Sequence, residues 1–219
     1  MDYGLLFDVD GTIMDSFDAI YKSLNEILQR QGVVDFTRDE LRSLMDYMSF
    51  MEIIGYLSRK YGIDDERMGE FSLDYVNSFL GSLGTLMKPF PGAIELVEYL
   101  SMKYILGLIS YNPVFILERQ VSYFSLQRYF KFIRGYEEIN GRKRNGIDEF
   151  SRIHGIEKRN IAFVGDQPKD IIEAKASGVI SIAVTYGVSR RETIEKEHPE
   201  FIADSVDELR KIIDEIFPL

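Results

Sequence analysis

Several features that would point to an extracellular or membrane protein are missing from this sequence. Its 219 residues include no cysteine, which excludes disulfide bonds and thiolate metal sites. No run of about 18 or more apolar residues occurs, so we expect no membrane-spanning helix. A strand pattern begins almost at the first residue, so we expect no signal peptide. Together these absences predict a cytoplasmic protein.

Basic residues are also outnumbered by acidic ones. Lys and Arg number 26 against 36 Asp and Glu, for a formal net charge of -10. No basic block or basic-aromatic stripe occurs, so we do not expect nucleic acid as a partner. If the substrate is an anion, a metal ion, a basic side chain or a helix N-terminus must supply positive charge locally.

The length of the chain allows one substantial hydrophobic core and a small second lobe.

Short apolar strands alternate with helical patterns, which predicts an α/β fold with a doubly wound, mainly parallel sheet covered on both faces. The predicted strands are 3–8, 104–110, a short strand within 129–136, 160–166, 179–185 and 201–203. The predicted helices are 16–31, 38–60, 64–83, 92–102, 113–124, 146–154, 168–177, 189–197 and 205–216.

The alternation is interrupted just after the first strand. No strand pattern is evident between residues 16 and 86, and "KPFPG" (88–92) then marks a change of rhythm. We interpret this block as an inserted all-helical cap domain over the carboxyl edge of the sheet. The predicted domains are therefore a core of residues 1–15 and 88–219 and a cap of residues 16–87.

Polar side chains follow three predicted strands where each strand ends. In chain order they are Asp8 and Asp10, then Ser110 and Asn112, then Asp166 and Asp170. Ligands of doubly wound folds bind beyond the carboxyl ends of the strands, so we expect these groups to meet. Converging carboxylates repel one another, and oxygen ligands suit Mg²⁺. We therefore expect a magnesium ion opposite Asp8, and also a lysine, from the basic run 142–144.

Each feature has an ordinary structural explanation when taken singly. An Asp at a strand end usually caps a helix or forms a turn, and Asp10-Gly11 is a turn signal. A short basic run such as residues 142–144 is typical of a solvated loop. These explanations do not account for the coincidence of such groups at the matching ends of three parallel strands.

Four segments resemble the motifs of the haloacid dehalogenase superfamily, in the phosphatase branch whose helical cap follows the first strand. "FDVDGT" (7–12) resembles the first motif and "LISYN" (108–112) the second. Lys143 takes the place of the third, and "VGDQPKD" (164–170) resembles the fourth. The resemblance covers nearly the whole chain and implies a Rossmann-like core.

The resemblance also implies a role for each motif residue. Asp8 would be the nucleophile that forms an aspartyl-phosphate, and Asp10 the general acid and then base. Lys143 would neutralise the phosphate together with the nucleophile. The implied metal ligands are Asp8, Asp10 through its backbone carbonyl, Asp166 and, in support, Asp170. The implied substrate-binding residues are Gly11, Thr12, Ser110, Tyr111, Asn112 and Lys143.

The activity that the resemblance implies is Mg²⁺-dependent hydrolysis of a small phosphorylated metabolite, of the phosphoglycolate phosphatase type, by a monomer or homodimer. One alternative is a sugar phosphomutase of the same fold, but such relatives tend to carry Val where Thr12 stands. A non-catalytic binding or regulatory protein is the other, although Asp8 and Asp10 are both retained. The family's third motif usually has prolines after its lysine, but the run "GRKRNGIDEF" (141–150) has none. The cap lacks the glycine-plus-basic pattern of relatives that select acidic substrates, so the substrate stays open.

Overall fold

The computed structural model describes residues 3–63 and 65–218, the side chains of residues 65–69 excepted. The strands of this part are β1 (Gly4–Phe7), β2 (Met14–Asp15), β3 (Lys88–Pro89), β4 (Ile105–Ile109), β5 (Phe132–Arg134), β6 (Ile161–Gly165), β7 (Ile180–Val184) and β8 (Phe201–Ala203). Its helices are α1 (Phe17–Arg30), α2 (Arg38–Met45), α3 (Phe50–Tyr61), α4 (Asp65–Gly81), α5 (Ala93–Ser101), α6 (Val114–Tyr123), α7 (Lys143–His154), α8 (Pro168–Ser177), α9 (Arg191–Glu195) and α10 (Val206–Ile216).

The main sheet confirms the predicted fold class. Within the described residues it has six parallel strands in the order β5-β4-β1-β6-β7-β8. Side chains alternate between its faces: Leu5 and Phe7 pack into one hydrophobic cluster, whereas Leu6 packs into another. Helices therefore cover both faces, and β1 lies in the interior of the sheet.

One predicted helix is wrong. Residues 38–60 form two helices, α2 and α3, separated by residues 46–49. A capping box causes the break: the Ser49 hydroxyl accepts a hydrogen bond from the backbone N–H of Glu52, and the Glu52 carboxylate accepts one from the backbone N–H of Ser49. The pairing satisfies amide groups at the helix start, so it stabilises a new helix at Phe50.

Two further boundaries differ from the sequence prediction. Helix α7 begins at Lys143 rather than at residue 146, so the basic run reaches into the first turn of the helix. Helix α9 is shorter than the predicted 189–197. Residue 64, at the start of the predicted helix 64–83, lies outside the described residues.

Helices α1–α4 have their own apolar core, which includes Leu24, Leu57 and Phe79 and, from outside these helices, Ile116 and Val188. The two chain segments that lead into and out of this block pair as the antiparallel ribbon β2–β3. The assignment of residues 16–87 to a separate cap domain stays a prediction. In the described part of the chain, no helix is both long enough and apolar enough to cross a membrane.

Candidate active site

The carboxyl ends of three neighbouring strands carry the candidate residues. Asp8 follows β1, Ser110 follows β4 and Asp166 follows β6. The strands are in register, because Phe7 pairs with Leu108 on one side and with Val164 on the other. The backbone N–H of Asp8 continues the ladder by donating to the Val164 carbonyl, at 2.9 Å. Asp8 therefore emerges between the other two strand ends.

Asp8, Asp166 and Asp170 form a buried acidic group. Each offers one carboxylate oxygen, and these oxygens all lie within 4.8 Å of one another. Two glycines make the close packing possible. A Cβ on Gly11, whose φ is +82°, would lie 2.1 Å from an oxygen of Asp166. A Cβ on Gly165 would lie 2.4 Å from that of Asp170, so any larger residue would displace an acid.

Lys143 is the basic residue that enters this group. Its side chain is completely buried, and Nζ lies 2.8 Å from Asp8 Oδ2 and 2.7 Å from Asp170 Oδ1. Arg142 is exposed and Arg144 only partly buried. Lys158 is exposed and pairs with Asp148. The structure thus brings Lys143, rather than Arg142, Arg144 or Lys158, against Asp8, as the sequence predicts; its role in catalysis stays a prediction.

Asp10 lies apart from the acidic group. One of its carboxylate oxygens accepts a hydrogen bond from Asn112 Nδ2, and the other accepts one from Gln120 Nε2 at 2.9 Å. Burial raises the pKa of Asp10, and the hydrogen bonds from the two amides oppose this rise. The Asp10 side chain is therefore held by neutral donors rather than by a lysine.

The remaining predicted residues divide between the cavity and the acidic group. Ser110, Tyr111 and Asn112 line a cavity together with Asp8 and Asp10. By contrast, Gly11 and Thr12 pack against Asp166, with the Thr12 hydroxyl 3.4 Å from Asp166 Oδ1. Neither Gly11 nor Thr12 is among the described residues that line the cavity. Their part in substrate binding therefore stays a prediction.

The cavity lies between the sheet edge and the helical block. It measures about 50 Å³, which is room for a few water molecules. The helical block contributes six apolar or aromatic side chains to its wall: Ile20, Met45, Met48, Phe50, Ile53 and Tyr75. The acidic end of the cavity thus faces a mainly apolar wall.

The electrostatics of the acidic group leave negative charge uncompensated. Burial raises the pKa of Asp8 to about 6, although Lys143 opposes the rise. Burial, Asp170 and Asp8 together raise the pKa of Asp166 well above its ordinary value. One ammonium contacts two of the three carboxylates, those of Asp8 and Asp170, so a divalent cation would balance the remaining charge. The all-oxygen donor set fits Mg²⁺, and the described residues therefore fit a metal site.

Two residues of the site were missed in the sequence. Gln120 is fully buried and contacts Asp10 across 110 positions of the chain, and no local pattern marks it. Lys169 stands inside the quoted "VGDQPKD" and lines the cavity, so its position in the motif was an available signal. Burial lowers the pKa of Lys169 to about 8, against the opposing effect of Asp170.

The fold and this site define an α/β protein with a doubly wound parallel sheet whose carboxyl edge carries a carboxylate beside a buried lysine. The haloacid dehalogenase-like hydrolase family matches residues 5–184, and the chain belongs to that family. A phosphoglycolate phosphatase of Pseudomonas fluorescens is 25% identical over 215 residues, which cover 95% of this chain and 78% of the relative. A phosphoglycolate phosphatase of Vibrio parahaemolyticus is 23% identical, with 95% of each chain covered.

Solved structures show the same fold. A haloacid dehalogenase-like family hydrolase from Streptococcus pneumoniae superposes with a TM-score of 0.82 at 20% identity, over 96% of this chain and 98% of the other. A crystal structure described as "a predicted phosphatase" from Clostridium acetobutylicum superposes with a TM-score of 0.80 at 25% identity, over 98% and 99%. The similarity extends over the helical block as well as the sheet.

Proposed function

We propose that this chain is a Mg²⁺-dependent phosphatase that hydrolyses a small phosphate monoester through an aspartyl-phosphate on Asp8. The observation that carries the proposal is the buried contact of Lys143 with Asp8 at the edge of a cavity that Asp10 also lines. The relatives named phosphoglycolate phosphatase support a small phosphorylated substrate. We propose further that residues 16–87 act as a cap over a core of residues 1–15 and 88–219.

In the first step, a carboxylate oxygen of Asp8 attacks phosphorus. The new Asp8–phosphorus bond forms as the bond from phosphorus to the leaving oxygen breaks, which divides one difficult displacement into two steps. Lys143 places a fixed positive charge beside the nucleophile, where it stabilises charge on the transferring phosphoryl group. Ser110 lies on the same cavity wall and would donate its hydroxyl to a phosphoryl oxygen.

Asp10 moves the protons. The raised pKa of Asp10 favours its protonated form, which gives a proton to the leaving alkoxide. The resulting carboxylate then accepts a proton from the water that attacks the aspartyl-phosphate and restores Asp8. The amides of Asn112 and Gln120 hold the Asp10 carboxyl in place through both steps.

A divalent cation fits beside these residues. Asp8, Asp166 and Asp170 would hold it, together with the backbone carbonyl of Asp10. When bound, Mg²⁺ supplies Lewis-acid stabilisation of charge on the phosphoryl oxygens. This local positive charge also offsets the acidic balance of the whole chain, which would otherwise repel an anionic substrate.

The test measures phosphate release from p-nitrophenyl phosphate and 2-phosphoglycolate. We expect turnover with Mg²⁺, loss in EDTA and inhibition by Ca²⁺, whose larger and looser ligand shell disturbs the in-line geometry. Asp8→Asn should abolish turnover and keep the fold, because the amide cannot form the acyl-phosphate. Asp148→Asn, an exposed site, is the control. Appreciable turnover by Asp8→Asn would contradict the covalent mechanism, and full activity in EDTA would contradict the metal requirement.

A further inference from the structure

We infer that Lys169 is a specificity-determining residue that binds a carboxylate on the organic part of the phosphate monoester. The inference rests on the proposed phosphatase function and narrows its substrate class to esters with a second anionic group. Three observations carry it: the position of Lys169, the partners of its ammonium group, and the composition of the rest of the cavity wall.

Lys169 spans the boundary between the sheet edge and the helical block. It stands near the start of α8, and its side chain lines the cavity. Nζ donates a hydrogen bond of 2.5 Å to the backbone carbonyl of Met48, in the loop between α2 and α3. Nζ also lies 4.4 Å from the centre of the Tyr111 ring. A substrate in the cavity would therefore lie beside this ammonium.

The two lysines near the cavity have different partners. Lys143 pairs with Asp8 and Asp170, whereas the ion pairs found among the described residues include none with Lys169. An ammonium has three N–H donors. Met48 takes one of them, and the face of Tyr111 is a weak partner for the charge. The group thus retains donors for an anion, which would compensate the cost of its partial burial.

The other side chains of the cavity wall offer no positive charge to the organic part of the substrate. Lys169 is therefore the group that could bind an anion there. The side chains that the helical block contributes are uncharged, being Ile20, Met45, Met48, Phe50, Ile53 and Tyr75. Among the described residues that line the cavity, Lys169 is the one cation. A carboxylate on the leaving group would pair with it, whereas an uncharged substituent would leave the ammonium without an anionic partner.

The experiment compares two esters of nearly equal size, 2-phosphoglycolate and 2-hydroxyethyl phosphate, with purified full-length protein and Mg²⁺. The measured quantity is the ratio of their kcat/KM values. We expect wild type to prefer the carboxylated ester and Lys169→Met to lower the ratio by about 30-fold, the effect of losing a hydrogen bond between charged groups. Lys169→Arg should keep most of the preference, because it keeps the charge.

Lys175→Met is the matched control. Lys175 lies on the same helix and also donates to backbone carbonyls, those of Glu197 and His198, but on an exposed surface. It should leave the ratio unchanged. Thermal unfolding of each variant checks that the loss of the Met48 contact has not unfolded the protein.

Two results would overturn the inference while leaving the phosphatase proposal intact. One is a ratio that Lys169→Met leaves unchanged, whether both esters lose activity equally or neither does, and the other is a wild type that shows no preference for the carboxylated ester. The last needs no variant, so a poorly folded Lys169→Met still permits a decision. A wild type that releases phosphate from neither ester, nor from p-nitrophenyl phosphate, would instead overturn the phosphatase proposal and the inference with it.

Discussion

A single lysine side chain joins the nucleophile candidate to the acidic group. Lys143 is fully buried and contacts both Asp8 and Asp170. These two carboxylates and the burial act in opposite directions on its pKa: burial lowers it, but the carboxylates outweigh burial and raise it. Lys143 therefore stays charged over the pH range in which an enzyme of this kind works, and its charge is available to the phosphoryl group at every step.

Removal of that charge should be costly for turnover. We expect Lys143→Ala to lower kcat/KM by about 100-fold or more, the usual effect of losing one preorganised group at the reacting centre. Arg142→Ala, Arg144→Ala and Lys158→Ala should stay within a few-fold of wild type. Steady-state kinetics with 2-phosphoglycolate measures the effect. Near-normal activity of Lys143→Ala beside an inactive arginine variant would show that the third motif was aligned wrongly.

We expect the Asp166 carboxylate to lower the free energy of unfolding of the metal-free protein. Its folded-state pKa is raised by burial and by Asp170 and Asp8, so the folded state retains a proton that the unfolded state has released. Stability therefore falls as the pH rises from the unfolded pKa, near 3.8, through the folded one. At pH 7.5 in EDTA, Asp166→Asn should raise the melting temperature by at least about 2 °C, the shift for about 1 kcal/mol at this size.

Asp204→Asn is a control of opposite sign. Hydrogen bonds from Thr185 and Arg191 lower the pKa of Asp204, so loss of this carboxylate should not stabilise the protein at neutral pH. Melting curves at several pH values distinguish the two variants. A melting temperature of Asp166→Asn that equals or falls below wild type at pH 7.5 would contradict the interpretation that Asp166 is held at a cost in the absence of metal.

A residue of the site can be predicted from the sequence when a pattern in the neighbouring residues marks it. Asp8 and Asp166 could be found because each ends an apolar strand, and parallel strands bring their ends to one edge. Lys143 could be chosen from its neighbours because it stands just before the predicted helix 146–154 and carries a compact ammonium rather than a planar guanidinium. Gln120 could not be found, since its contact with Asp10 depends on how α6 is oriented against β1, which no local pattern encodes.

At the scale of elements, the break between α2 and α3 was within reach of the sequence. Ser49 and Glu52 have the spacing of a capping box, whereas the helical pattern of residues 38–60 as a whole predicts one continuous helix. Apolar periodicity indicates which face of a helix is buried, and it can continue across a short break between two helices. A capping residue instead marks the position at which the hydrogen bonding of a new helix starts. The ribbon β2–β3 was beyond reach, because pairs of two residues leave no pattern.

The capping box should contribute measurably to the stability of α3. We expect Ser49→Ala to lower the free energy of unfolding by about 1 kcal/mol, the typical loss for an N-cap hydroxyl. Ser43→Ala is the matched control, since the Ser43 hydroxyl donates to the carbonyl of Asp39 on an exposed helix face. That variant should be neutral or slightly stabilising, because alanine favours helix. Chemical denaturation measures both, and equal effects would contradict the assigned role of Ser49.

At the scale of the whole molecule, the apolar cores follow the proposed division into two units. The three clusters on the faces of the sheet draw no residue from positions 17–87. The cluster within the helical block draws almost all of its residues from those positions, apart from Ile116 and Val188. Each unit thus has its own buried surface, and the cavity lies where they face one another. Substrate access would therefore depend on relative movement of the two units.

Removal of the helical block should show whether catalytic turnover and substrate specificity depend on different parts of the molecule. Replacement of residues 18–84 by a short linker leaves all three sheet clusters complete and keeps the ribbon β2–β3, so we expect a folded core by circular dichroism. Asp8, Asp10, Lys143 and Asp166 all remain. The truncated protein should therefore keep some turnover of p-nitrophenyl phosphate with Mg²⁺ but lose much of its discrimination among natural monoesters. Water enters, the apolar wall is gone, and the Met48 carbonyl no longer holds the retained Lys169. Unchanged selectivity in a folded truncated protein would show that specificity resides in the sheet edge alone.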